Sequence, residues 1–399
     1  MFFYAAMATA VFASCRKDNN DIVAPSENAE KQPIQFTMGN AIELTTRGTG
    51  AVGDTLNGAN VWRCEKLNVF MFDKGTLNLT QDLTTNSPYF DNLELTAGTE
   101  EECGTSNLVL GDYGDTKYYP GNGNFDFFAY HADDAVSGDY NVLENSYTVD
   151  VTINGTQDLM VAKAVMNAED KERYLGNPTT KDPNCDRVYS AYAARRDIQP
   201  RFQFEHLLTR LKFHIIGADE GVNDPSYGVF IDSIVIKNTL SKGEMVVAYT
   251  GEKPNNLITW GDERSDFWLT QKAVSLGEGA DVAQPTEKLE SKLSPAKGDT
   301  VSLGESMLLC PSESYELVVY YSQYPDENSV INDREVVSFY PQTLSLKSGN
   351  SFEAGHQYNV YFKVYKAQRI EIQLELTAWE TGEDVEVDSE EVYDNNENI

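Results

Sequence analysis

The sequence predicts an all-β fold, two antiparallel β-sandwiches in tandem. Three observations carry that expectation. Apolar residues recur with a period of two in segment after segment, which marks strands that lay one face on a core. Clusters of Gly, Asn, Asp and Pro separate those segments, as at Gly111-Asp112-Tyr113-Gly114 and Tyr119-Pro120-Gly121-Asn122-Gly123. Helical periodicity is thin, so the crossover helices of a parallel sheet are missing, and 399 residues exceed one sandwich of ~100 residues plus loops.

Taken in order, the first strand is expected where Ile34, Phe36 and Met38 alternate with Gln35 and Thr37. Runs at 67–72 and 125–130 follow. The stretches 161–174 and 206–211 are expected to carry at most a helical turn or two. A polar, Arg-rich segment at 187–201, with Pro200 near its end, is the best boundary between the sandwiches. Beyond it come runs at 211–215, 231–236, 315–321 and 335–340. Tyr358, Val360, Phe362 and Val364 then share one face, and Ile370, Ile372, Leu374 and Leu376 share another against Glu371, Gln373, Glu375 and Thr377. After Trp379 acidic residues accumulate without a basic one, so 381–399 is expected to be a solvated, mobile tail. The expected organisation is therefore 33–200 for the first sandwich, 201–380 for the second and 381–399 for the tail.

Charge narrows the function. There are 63 Asp and Glu against 31 Lys and Arg, a formal charge of -32 with a pI near 4.4. Nucleic-acid binding draws its affinity from clustered cations, so no nucleic-acid partner is expected. The chemistry-bearing motifs are sparse. Gly48-Thr-Gly50-Ala-Val-Gly53 has dinucleotide-binding spacing, but Asp54-Thr55-Leu56-Asn57-Gly58 cannot form the helix whose N-terminus would hold a pyrophosphate. His131, His206, His214 and His356 all fall in strand-like segments and form no local pair; HExxH and GxSxG are absent. No enzymatic activity, cofactor or metal is expected. Cys64, Cys103, Cys185 and Cys310 lack zinc spacing and allow three disulfide pairings, or remain buried thiols. The tyrosines serve either core edges or a binding face; of the adjacent pairs Tyr118-Tyr119 and Tyr320-Tyr321, one member each is expected to face solvent.

Residues 1–14 are apolar or small, and Cys15-Arg16-Lys17-Asp18 follows at once. That pattern resembles a bacterial lipoprotein signal, with Val11-Phe12-Ala13-Ser14-Cys15 as the lipobox. Cys15 is then the lipid attachment site, 1–14 the removed signal and 15–32 a polar linker above the membrane. No Lys or Arg precedes the apolar run, and the competing reading is a buried N-terminal element with an ordinary core cysteine.

These pieces resemble the fimbrillin family, the type V pilus subunits of Bacteroidales and their lipoprotein relatives. The resemblance rests on Cys15, on Ile34-Gln-Phe36 leading to Thr45-Thr46-Arg47, and on Phe125-Asp-Phe-Phe-Ala-Tyr130 and Asp158-Leu-Met-Val-Ala-Lys-Ala164. It continues through Phe204-Glu-His206-Leu-Leu-Thr-Arg-Leu-Lys-Phe213 and Phe352-Glu-Ala-Gly-His-Gln-Tyr-Asn-Val360 to Trp379-Glu380. It implies transthyretin-like sandwiches, a lipid-anchored precursor on the outer membrane, and an Arg-directed protease that releases an N-terminal strand. A neighbouring subunit's strand would then fill the vacated groove by strand addition. Arg47-Gly48, among small and flexible neighbours, is the candidate cut. The tail lacks a donor strand's alternation, which counts against a stalk role and favours a terminal subunit or a relative that stays monomeric on the surface; the expected role is a structural subunit or accessory or tip adhesin of a cell-surface fimbria. Other fimbrial subunits, the outer membrane and a host protein or glycan receptor are the implied partners. The alternative is a surface glycan-binding lipoprotein, with Trp260 and Trp268 in the loop-rich stretch 257–270 as its candidate sugar contacts.

Overall fold

The computed structural model describes residues 31–38, 66–73, 88–97, 117–121, 123–166, 170, 189–270, 289–323, 335–338, 342–346, 350–366 and 369–377, with short pieces at 55–56, 59–60, 107–109 and 385–386. The first strands are β1 (Phe36–Met38), β2 (Thr55–Leu56), β3 (Ala59–Asn60), β4 (Lys66–Asp73), β5 (Phe90–Ala97) and β6 (Asn107–Val109). Next come β7 (Phe125–His131), β8 (Asn141–Val142), β9 (Ser146–Thr152) and β10 (Met160–Lys163), then a short helix α1 (Ala191–Ala194). After it lie β11 (Arg201–Phe202), β12 (Glu205–His206), β13 (Thr209–Gly217), β14 (Val229–Leu240) and β15 (Lys242–Tyr249). They are followed by β16 (Ile258–Trp260), β17 (Arg264–Trp268), β18 (Lys292–Leu293), β19 (Thr300–Leu309) and β20 (Ser314–Gln323). The last are β21 (Glu335–Ser338), β22 (Gln342–Ser345), β23 (Gln357–Tyr365), β24 (Arg369–Thr377) and β25 (Val385–Glu386).

The expected all-β sandwich architecture is present. An eight-stranded sheet runs β11-β1-β6-β5-β4-β7-β10-β12, and a four-stranded sheet runs β16-β15-β9-β8. A five-stranded sheet, β19-β13-β23-β24-β25, faces a six-stranded one built on β17-β14-β20-β21, with β18 and β22 pairing β14 and β20. Among the described strands two pairings are parallel, β1 with β11 and β13 with β23; the others are antiparallel. The facing layers are held by alternation: Leu211, Phe213 and Ile215 of β13 and Val360, Phe362 and Val364 of β23 meet Ile231, Ile234 and Ile236 of β14 and Leu317 and Val319 of β20, all fully buried.

The eight-stranded sheet buries both faces. Leu67, Val69 and Met71 of β4 enter a core with Phe36, Phe127, Ile198 and Phe202. Phe70 and Phe72, pointing the other way, meet the Tyr147 ring of β9 edge-on at 5.5 and 5.1 Å. Tyr147, Val149 and Val151 in turn join the larger core that continues to β23. The four-stranded sheet takes β8 and β9 from before residue 200 and β15 and β16 from after it, pairing Thr152 with Lys242 through to Ser146 with Tyr249.

Five local expectations are corrected. Residues 161–163, at the start of the stretch expected to turn helically, belong to strand β10, because Val161 pairs with both Tyr130 and Glu205 and a two-sided ladder outweighs helix propensity. In 206–211 His206 ends β12 and Thr209 opens β13, leaving no helix. Stretch 257–270 contains β16 and β17 rather than loop alone. Segment 187–201, expected as a polar connection, holds α1, whose Ala191, Ala193 and Ala194 are buried and whose N-cap Ser190 accepts a hydrogen bond from the Ala193 N–H at 3.2 Å. In the tail, Val385–Glu386 adds to the edge of β24 opposite Leu376 and Glu375, because an edge strand offers unpaired backbone groups.

Candidate functional site

The segment 32–38 lies across the eight-stranded sheet as a short strand with its own anchors. Its backbone enters through two reciprocal bonds: the Ile34 N–H donates to Lys117 O at 2.9 Å and the Tyr119 N–H to Gln32 O at 3.0 Å. Gln199 clasps it from the other side, its Nε2 donating to Pro33 O at 3.2 Å and its Oε1 accepting from Gln35 N–H at 3.2 Å. Farther along, Thr37 and Met38 face Arg201 and Phe202, while Phe36 and Thr37 face Leu108 and Asn107.

Alternation turns Ile34 and Phe36 inward, at 1% and 3% exposure, while Gln35 between them is exposed. The Phe36 ring stacks on Phe202 at 5.5 Å and meets Phe127 and Phe90 edge-on at 5.6 and 6.3 Å. Tyr119 closes the pocket against Phe127 at 6.2 Å. Burial raises the Tyr119 phenol well above its ordinary value, with Tyr189 adding to the shift, so it remains neutral. β1 sits one position from the sheet edge, and its outer neighbour β11 is only two residues long. The strand is thus held by two apolar plugs, a single amide clasp and a few ladder bonds. None of these depends on covalent continuity with the rest of the chain, so another extended segment could satisfy them.

Cys15, Arg47 and Gly48 lie outside the described residues, as do the Gly48–Gly53 loop, Cys64, Cys103 and Cys185. Cys310 is described and is a buried free thiol, its pKa pushed up to about 12 by burial. Trp260 and Trp268 occupy edge strands of two different sheets, each half-buried. Trp260 packs against the larger core, and Trp268 stacks on Tyr320 at 5.9 Å. Of the adjacent tyrosines, Tyr118 is exposed and Tyr119 buried; Tyr320 is half-exposed and Tyr321 buried. The groove residues Phe90, Gln199 and Phe202 were not expected. Phe202 alternates with Phe204 across Gln203, a pattern legible in the sequence, whereas nothing local marks Gln199 as a clasp.

The histidines, scattered in sequence, partly converge. His131 Nε2 lies 3.1 Å from Asp133 Oδ1 and its Nδ1 lies 2.8 Å from Lys66 O. His206 Nδ1 lies 2.8 Å from Asp158 Oδ2, and the Asp158 N–H donates to Asp133 Oδ2 at 2.8 Å. Burial lowers the Arg210 pKa to about 10, against the opposing pull of Asp158 and Glu305. Asp158 is fully buried and both histidines nearly so. Such a sealed set binds β7, β12 and β13 together and offers no opening to a substrate. Among the described residues no cluster could hold a metal ion.

A family model described as fimbrillin-like matches residues 49–379. No curated protein matches the chain. Solved structures similar to it include a candidate cell adhesion protein from Bacteroides uniformis, 15% identical, covering 89% of this chain and 100% of that one at a TM-score of 0.41. Another from Bacteroides ovatus is 14% identical, covering 91% and 100% at 0.42. The fimbrial anchor protein Mfa2 from Porphyromonas gingivalis is 11% identical, covering 88% and 100% at 0.32.

Proposed function

This chain belongs to the fimbrillin-like family, and from that premise we propose that it is a cell-surface fimbrial subunit or accessory adhesin, joined to its neighbours by exchange of one strand for another. The role is structural and adhesive rather than catalytic. The observation that carries the reading is the separable strand β1, whose Ile34 and Phe36 fill an aromatic groove near a sheet edge. The spans support it as well. The family match begins at residue 49, just past Arg47-Gly48, so it includes Phe90, Phe127, Gln199 and Phe202 but not the strand that covers them.

The proposed sequence of events follows from these parts. Cys15 carries the lipid that holds the precursor at the outer membrane. Cleavage between Arg47 and Gly48 frees the segment carrying β1. An emptied groove exposes apolar rings and unmet backbone groups, and a strand from another subunit removes both penalties at once. N-terminal sequencing of mature protein from its native host tests the cut: Gly48 as the first residue supports it, and lipidated Cys15 alone removes the cleavage step. Electron microscopy before and after limited trypsin digestion tests assembly, since fibres should appear only after digestion.

The glycan-binding alternative has as its support the half-exposed Trp260 and Trp268. A glycan array would select it if sugar binding appears and is lost in Trp260→Ala.

A further inference from the structure

We propose that Ser302 is a nucleophile primed by His214 and Asn359, and that it accepts an acyl group from an activated ester. The three residues lie on adjacent strands β19, β13 and β23, on the outer face of the five-stranded sheet. Register places Ser302 and Tyr361 on either side of His214, and Asn359 beside Lys212.

The hydrogen bonds fix the imidazole tautomer. Gln357 Nε2 donates to Asn359 Oδ1 at 3.3 Å, which makes that oxygen an acceptor. His214 Nε2 lies 3.2 Å from the same oxygen and therefore carries the ring proton. Nδ1 then presents its lone pair, and Ser302 Oγ–H donates to it at 3.2 Å. A hydroxyl on a base that is itself oriented by a third group is the geometry of an activated nucleophile. Asn359 is buried at 8% exposure, so the orienting amide is held in place, and the Tyr361 ring stacked on the imidazole at 4.8 Å restricts its rotation. Ser302 itself is exposed and sits on an edge strand, open to a reagent from the face and the side. Lys212 and Lys363, two residues from His214 and Tyr361, add positive charge to the same face.

In the step, Ser302 Oγ attacks the ester carbonyl carbon while His214 Nδ1 takes the hydroxyl proton. The new O–C bond forms, the bond to the leaving oxygen breaks, and the imidazolium returns the proton to that oxygen. An O-acyl serine and a free alcohol or phenol result. The inference is independent of strand exchange, since none of its residues lies in the β1 groove.

The test treats the intact protein with p-nitrophenyl acetate and maps acetylation by peptide mass spectrometry. Acetyl-Ser302 should form faster than acetyl on the exposed Ser265, and His214→Ala should slow it about 100-fold. His214→Gln, which keeps a polar side chain of similar length, provides the same comparison if the alanine variant fails to fold; circular dichroism identifies the folded variant. Equal labelling at Ser302 and Ser265, or a rate at Ser302 unchanged in the folded His214 variant, would overturn the proposal.

Discussion

At the scale of single residues, the hold on β1 divides unequally between an amide and a ring. Gln199→Ala removes the bonds that Gln199 makes to Pro33 and Gln35, neither of them deeply buried, and a long one of 3.5 Å from the Tyr119 hydroxyl, so the expected cost is about 1 kcal/mol. Phe202→Ala removes a fully buried ring stacked on Phe36 and leaves a cavity, with an expected cost of about 3–5 kcal/mol. Denaturant melts of both variants check the ranking: Phe202→Ala should lose several times more stability than Gln199→Ala. The pH response belongs to His131. Burial alone pushes its pKa down, but the Asp133 carboxylate beside it, the bond to Lys66 O and the nearby Asp158 outweigh burial and raise it to about 9. A histidine whose folded pKa exceeds its unfolded value near 6.5 contributes stability that is complete below that value and lost as pH rises through the folded one. Thermal stability should therefore decline from about pH 6.5 to about pH 9, and His131→Gln should flatten that decline; an equal slope in both proteins would refute the assignment.

Strands were the most legible level of the fold, and the reason is physical. Where one face is buried, as in β23, the buried Tyr358, Val360, Phe362 and Val364 print the period directly into the sequence. β10 was hidden because Met160, Val161 and Ala162 are all buried, so a sheet packed on both sides shows no alternation to read. α1 was hidden because its three buried alanines lie in an Arg-rich stretch whose composition suggests a linker. At the site, Ile34 and Phe36 were readable as a strand, while Gln199 and Phe90 became groove residues only through tertiary contacts. The element-level prediction follows from β1. A protein whose segment up to Arg47 has been cut and removed should bind a synthetic peptide spanning residues 31–40, and the same peptide with Phe36→Glu should fail, because an unpaired carboxylate would enter the aromatic pocket. Fluorescence anisotropy of labelled peptides measures this; equal binding of both peptides would show that the pocket does not read position 36.

At the scale of the whole molecule, the proposed sandwiches 33–200 and 201–380 are joined by a sheet to which both contribute. β9 and β15 share a seven-pair register, with one irregularity between Val246 and Ala248. The core on that sheet's inner face runs without a break from Phe70 to Val364. A buried polar pair crosses the same boundary, since Asp158 lies 2.8 Å from His206. Cutting the chain at residue 200 would leave Tyr147, Val149 and Val151 without their partner strand β15 and would separate Asp158 from His206, breaking a buried polar pair. A domain that folds alone keeps its own core and few contacts across its boundary; the first half does have a core of its own, from Ile34 to Ile198 with Phe202 and Phe204, but the shared sheet and the larger core both cross residue 200. The full chain is therefore expected to unfold in one cooperative transition, with circular dichroism and tyrosine fluorescence giving coincident midpoints. The isolated fragment 33–200 is expected to lack such a transition and to bind a dye that reports exposed apolar surface. Two separated transitions in the full chain, together with a cooperatively folded fragment, would show instead that the shared sheet is a contact between independent domains. For a fibre subunit the difference is mechanical: the β1 groove and the shared core lie on opposite faces of one eight-stranded sheet, so pulling force entering at the groove is passed through that sheet to the second sandwich as well as the first.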